Sequence, residues 1–271
     1  MNLKMDHTLV VMQIRNLLMN KIDLKTCVAR TKVDVWENSI SQNAEDITIK
    51  EIINELEMPE TDKVAVDVGS WDGMHLSNIY NLLTIDGWGG ILVEGDLNKS
   101  QVSKNRFVDN PHIHHYDGFV NRENNNINTI LSRYNCPEEF GVFNLDIDSF
   151  DFWIWKDLNY KPKIVCVEHN GNILDDDKVL PYDTSWTYSG SQDNYGASAK
   201  SLLRLGNHKG YSLVAASLHN LIFVKDSLAE KFEVIEEIDV NWFRETLGIT
   251  KRSSFRQHMP PEYFHYNPPV N

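Results

Sequence analysis

The chain has 271 residues, 41% of them hydrophobic, enough for a sizeable core in one α/β domain with additions. Its formal net charge of −13 provides no broad basic face, which argues against nucleic acid or an anionic membrane surface as a partner. Three widely spaced cysteines, Cys27, Cys136 and Cys166, match neither a zinc nor a disulfide spacing, so a reducing cytoplasm is the expected compartment.

Residues 1–60 read as a polar, helical N-terminal extension. Within it Val10, Val11, Ile14, Leu17 and Leu18 share one helical face, which predicts a helix packed on its own domain, in a homodimer contact or over a site. The stretch lacks the cleavage site of a signal peptide, and no run approaches the roughly 20 apolar residues of a membrane span. From Lys63 the pattern alternates. Strands are expected at 63–68, 90–94, 113–116, 141–148 and 163–167, and helices at 74–83, 126–134 and 152–158. Alternation of this kind implies a parallel sheet covered on both faces. Residues 171–195 are rich in Asp, Ser, Gly and Tyr without periodicity, at the edge where such sheets bind ligands, and are read as a substrate loop. After a helix at 197–209, strands at 211–216 and 221–224 are joined by Ser217-Leu218-His219-Asn220, too short for a parallel crossover, so they form a hairpin. Residues 227–271 read as a C-terminal arm, and 61–226 as the domain proper.

Two constellations carry chemistry. In the first, Asp67 ends an apolar run, Gly69, Ser70 and Gly73 form a turn, and Glu94 ends the next strand. A strand, a glycine turn, a helix and a second strand ending in an acid make a nucleoside half-site, in which Glu94 can accept both ribose hydroxyls. In the second, alternation puts Asp146 and Asp148 on one side of the fourth strand, while the fifth ends in Glu168-His169-Asn170. Such a gathering of acids suits an oxygen-rich divalent site, an acid/base site with His169 or an acid as base, or a hydrogen-bonded carboxylate cluster. Tyr195, His219 and Asn220 lie where they could also reach a substrate.

These segments resemble class I S-adenosylmethionine-dependent methyltransferases, over roughly 63–226. The spacing Asp67-x-Gly69-x-x-x-Gly73, the acid Glu94 and the final hairpin carry the resemblance, and Asp146 points to the FkbM-like branch and, less closely, to macrocin-type sugar O-methyltransferases. It implies a doubly wound, seven-stranded, mostly parallel sheet with a C-terminal antiparallel hairpin. It also implies S-adenosylmethionine held by Asp67, Gly69, Ser70, Gly73, Glu94, Asp117, Gly118 and Asp146. Asp146, Glu168 and Asn170 are similar to the metal triad of catechol and macrocin O-methyltransferases, which would hold Mg²⁺ or Mn²⁺. Asp148-Ser149 departs from the Glu-Gly more common in the FkbM-like branch, and the intervening His169 departs from the triad's spacing. Catalysis falls to Asp146, Asp148 and His169, and the expected activity is O-methylation of a small polar acceptor such as a sugar, nucleotide sugar or natural-product precursor. An N-methyltransferase of the same fold and a non-catalytic cofactor-binding or assembly subunit are the alternatives.

Overall fold

A computed structural model describes residues 21, 22, 24, 39–173, 176–186 and 195–241. The predicted helical face at 10–18 and the tail beyond 241 lie outside these residues. Among the described residues of the N-terminal extension, helix α1 spans Glu45–Glu55. The alternating part then runs β1 (Val64–Val68), α2 (Tyr80–Thr84), β2 (Gly89–Glu94), α3 (Leu97–Arg106), β3 (Ile113–Asp117), α4 (Ile127–Arg133), β4 (Val142–Leu145), α5 (Asp151–Asp157) and β5 (Ile164–Glu168). It closes with α6 (Ala199–His208) and the pair β6 (Tyr211–Ala216) and β7 (Asn220–Lys225).

The seven strands form one sheet in the order β3-β2-β1-β4-β5-β7-β6. Strands β1 to β5 are parallel; β7 runs antiparallel to both β5 and β6. This is the class I methyltransferase fold, with the hairpin that the four-residue link between the last strands predicts. The order reverses between β1 and β4, so the carboxyl ends of β1, β2, β4 and β5 flank the switch point where open α/β sheets bind ligands.

Burial on both faces follows from strand alternation. Val66, Val68, Phe143, Leu145, Val165 and Val167 pack into one apolar cluster with α5 and α6. Ala65, Val142, Ile164 and Cys166 pack into another with α1 and α2. Asp67 falls on this second face, in register with Asn144 and, through it, Cys166. No helix among the described residues is long and apolar enough to cross a membrane.

Two helices differ from the sequence expectation. The helix expected at 74–83 begins only at Tyr80. Asp72 Oδ1 accepts from the backbone N–H groups of Met74 and His75 at 3.0 and 2.7 Å, Leu76 is left-handed at φ 55°, and Ser77 Oγ takes the amides of Ile79 and Tyr80 at 3.2 and 3.1 Å. These side chains compete for the groups that would start a helix. Helix α3, by contrast, was not expected. Its apolar residues Leu97 and Val102 are both exposed, so it has no apolar stripe to reveal it, although Asp96 caps it by accepting from the N–H groups of Asn98 and Lys99 at 2.8 and 3.3 Å.

Candidate active site

The glycine turn is shaped by protein contacts. Gly69 has φ 91°, and a Cβ there would lie 1.7 Å from the Asp146 carbonyl oxygen. Gly73 has φ 76°, and its Cβ would lie 2.5 Å from Ser103 Oγ and 2.8 Å from the Phe107 ring. The missing side chains serve the fold: Gly69 lets β1 close on the segment after β4, and Gly73 lets the turn close on α3. Ser70 is 3% exposed, and its N–H and hydroxyl both donate to the Val93 carbonyl, at 3.1 and 3.4 Å, so it is spent on holding β2.

Asp67 also differs from its expected role. It is 2% exposed and accepts from Asn144 Nδ2 at 2.7 Å and Ser77 Oγ at 3.5 Å. Asn144 Oδ1 in turn accepts from Asn78 Nδ2 at 2.9 Å. Burial raises the Asp67 carboxyl to about 6 against the pull of these donors. It anchors the segment beneath the turn instead of presenting a carboxylate to the cleft.

Glu94, at the end of β2, accepts from Trp71 N–H at 2.7 Å through Oε2 and from Asp96 N–H at 2.7 Å through Oε1. An ionised carboxylate has about four lone-pair sites, so each oxygen retains acceptor capacity. Beside it Phe119 lies over Gly95, where a Cβ would be 2.3 Å from the ring, and Phe119 and Leu97 are 75% and 65% exposed. Two exposed apolar side chains thus lie close to a strand-ending acid, Leu97 three residues after it and Phe119 against the Gly95 that follows it. The sequence reading missed both, because an isolated apolar residue after a strand carries no periodicity. Gly118, at φ 154°, donates its N–H to the Glu94 carbonyl at 2.8 Å and ties the β3 end to the end of β2. Asp117 is turned away: its carboxylate takes the Ser100 hydroxyl and the Lys104 ammonium of α3. Burial opposes ionisation there, but Lys104 and Ser100 prevail and hold the carboxyl below its usual range. On the glycine turn, the Trp71 ring is 46% exposed and lies under Lys99, whose Nζ sits 2.8 Å from its centroid.

At the β4 and β5 ends, oxygens of Asp146, Asp148 and Glu168 lie within 4.8 Å of one another. Strand β4 stops at Leu145, so alternation does not bring Asp146 and Asp148 together. The chain instead turns, with Asp148 left-handed at φ 55°, and buried Asp151 clamps the turn by accepting from the N–H groups of Ile147 and Ser149 at 2.9 and 3.1 Å. The paired register Leu145 to Val167 places Glu168 beside Asp146. Burial, then the neighbouring negative charges, push the carboxyls of Asp146 and Glu168 well above the usual range. The contact between the two acts in opposite senses, raising Glu168 and lowering Asp146. Glu168 Oε2 is buried without a hydrogen-bond partner.

His169 does not join this cluster. His169 points to the opposite face, is 0% exposed, and donates from Nε2 to the Ser217 carbonyl at 3.2 Å. Burial lowers its pKa to about 4, so it is neutral at pH 7 but sealed from a substrate, which corrects its reading as the base. Asn170 is likewise fully buried; its Oδ1 accepts from Asn172 N–H at 2.9 Å and its Nδ2 donates to the Tyr195 carbonyl at 3.0 Å. The carboxylates brought together are thus Asp146, Asp148 and Glu168. Asn220 is buried and donates to Glu45 Oε1 at 3.2 Å, while His219 is half-buried and its charge bears on Asp148.

No protein-family model matches the chain, and no curated protein matches it. Solved structures are similar at low identity. The N-terminal domain of EvdMO1 with SAH bound is 10% identical with a TM-score of 0.44, over 82% of this chain and 97% of that one. An O-methyltransferase from Bacillus cereus in complex with SAH is 11% identical with a TM-score of 0.40, over 80% and 97%. The O-methyltransferase NcsB1 from neocarzinostatin biosynthesis, in complex with S-adenosyl-L-homocysteine and 1,4-dihydroxy-2-naphthoic acid, is 12% identical with a TM-score of 0.35, over 68% and 57%.

Proposed function

We propose that the chain is an S-adenosylmethionine-dependent O-methyltransferase of the FkbM-like or macrocin-type branch, acting on a small polar acceptor such as a sugar, nucleotide sugar or natural-product precursor. One observation carries this reading: at a single sheet edge, a strand-ending acid beside two exposed apolar side chains adjoins a cluster of three acids across the glycine turn. Glu94 would take the ribose hydroxyls, and Leu97 and Phe119 the two sides of the adenine. The cofactor supplies a sulfonium methyl for in-line displacement by an acceptor oxygen. What falls to the chain is alignment and removal of one proton.

The acid cluster fits a divalent cation. It offers hard oxygen donors, including the buried and unpartnered Glu168 Oε2, at a spacing of one shared ion. Asp146, Asp148 and Glu168 would hold Mg²⁺ or Mn²⁺, which lowers the pKa of a hydroxyl and fixes its direction. Around such an ion all three carboxyls would be ionised and would orient the acceptor. Incubation with labelled methyl donor and a panel of sugars, nucleotide sugars and amines tests the reading. The expected result is transfer to a hydroxyl that stops on chelation and returns with Mg²⁺ or Mn²⁺. Transfer that survives complete chelation, with no metal in the protein, removes the cation; transfer confined to amines favours an N-methyltransferase.

A further inference from the structure

The loop after β3 and the segment 176–186 are joined by one tyrosine. Phe119, on that loop, packs against Gly95 and would be one wall of the proposed nucleoside slot. Three residues on, Arg122 is held by Asp157 of α5 through two bonds, Nε to Oδ2 at 2.6 Å and Nη2 to Oδ1 at 3.1 Å. Its guanidinium carbon lies 4.8 Å from the Trp153 ring centroid and 5.2 Å from that of Tyr182. The Tyr182 hydroxyl accepts from Arg122 N–H at 3.0 Å and donates to Glu123 Oε2 at 3.0 Å. On its other side the Tyr182 ring packs at 4.8 Å on Phe150, two residues from Asp148, and Phe150 packs at 5.7 Å on Trp186. A chain of contacts thus runs from Arg122, three residues after Phe119, through Tyr182 to Phe150 and Trp186, with Phe150 two residues from Asp148.

We propose that Tyr182 is a positioning residue that couples occupancy of the nucleoside slot to the placement of residues 176–186 beside the acid cluster, so that the methyl donor binds first and completes the acceptor site. The inference rests on the proposed function of the slot. The physical basis is local. A ring seated between Leu97 and Phe119 restrains the backbone at 118–120 and, with it, the direction of Arg122 N–H. That donor fixes the Tyr182 hydroxyl, and Phe150 and Trp186 follow the ring. Coupling of this kind is reciprocal and typically amounts to about 5–150-fold. Tyr182→Phe deletes the hydroxyl and keeps the ring packed on Phe150.

Hydrogen exchange of the full chain, with and without S-adenosylhomocysteine as the probe and calorimetry alongside, tests this. In the wild-type protein the probe should slow exchange of the 176–186 amides by about fivefold or more. In Tyr182→Phe it should bind within about threefold of the wild-type affinity while this protection disappears, with ligand-free exchange in β1 and β4 unchanged. Glu123→Gln, which keeps an acceptor for the Tyr182 hydroxyl, should retain the protection. Binding without protection of 176–186 in the wild type, or equal protection in Tyr182→Phe, overturns the coupling while leaving the slot reading intact. Absence of any binding heat in the wild type removes the slot reading and this inference together.

Discussion

Gly69→Ala is expected to destabilise the protein by about 3–5 kcal/mol, from left-handed backbone strain and overpacking combined. The Cβ would lie 1.7 Å from the Asp146 carbonyl oxygen, on backbone at φ 91°. Backbone cannot rotate aside as a side chain can, so β1 and the segment after β4 must part. The melting temperature should fall by about 10 °C. Gly87→Ala is the control: Gly87 is also left-handed, at φ 71°, but nothing lies within 4 Å of its Cβ position. It should lose only the backbone cost of about 1 kcal/mol. Equal losses in the two variants, measured by thermal unfolding, would show that the Asp146 contact has no energetic weight.

Asp67→Asn is expected to stabilise the protein at pH 8. Burial raises the Asp67 carboxyl from 3.8 to about 6. A carboxyl raised in the folded state contributes stability below about pH 4 that is lost as pH climbs through about 6. Ionised Asp67 therefore costs up to about 3 kcal/mol at pH 8 relative to acid. An asparagine keeps a carbonyl acceptor for Asn144 Nδ2 and cannot ionise. The variant should unfold at higher temperature at pH 8, vary less in stability between pH 4 and pH 6, and bind S-adenosylhomocysteine within about threefold of wild type. A less stable variant that no longer binds would return Asp67 to the cofactor site.

The sheet was legible because its signals are regular. The bounds of β6 coincide with those expected, and β1, β2, β3, β5 and β7 start and end within two residues of expectation, since alternating apolar runs bounded by turns mark strands strongly. The four-residue link revealed the final hairpin by its length alone. What failed were inferences about direction. The acids at 67 and 117 end strands as expected, but their side chains are committed to Asn144 and to Lys104, partners some distance away in sequence. The glycines mark a tight turn, yet which atom fills the missing Cβ position depends on how β4 and α3 approach. Asp146 and Asp148 meet through a turn clamped by Asp151, not through alternation, and His169 leaves the cluster because it faces away from Glu168. Phe119 and Leu97 were unreadable in sequence because exposure, not periodicity, is what distinguishes them.

The carboxyl ends of β1 and β2 are expected to hold the nucleoside of a methyl donor, and calorimetric titration of the full chain with S-adenosylhomocysteine measures that directly. Glu94 holds the Trp71 and Asp96 amides at the end of β2, next to the Gly95 on which Phe119 packs, so its carboxylate is the group expected to take the ribose. The prediction is saturable 1:1 binding by the wild type and affinity about 10–100-fold weaker in Glu94→Ala, from lost charged hydrogen bonds. No heat at saturating ligand, or equal affinity in Glu94→Ala, would contradict it.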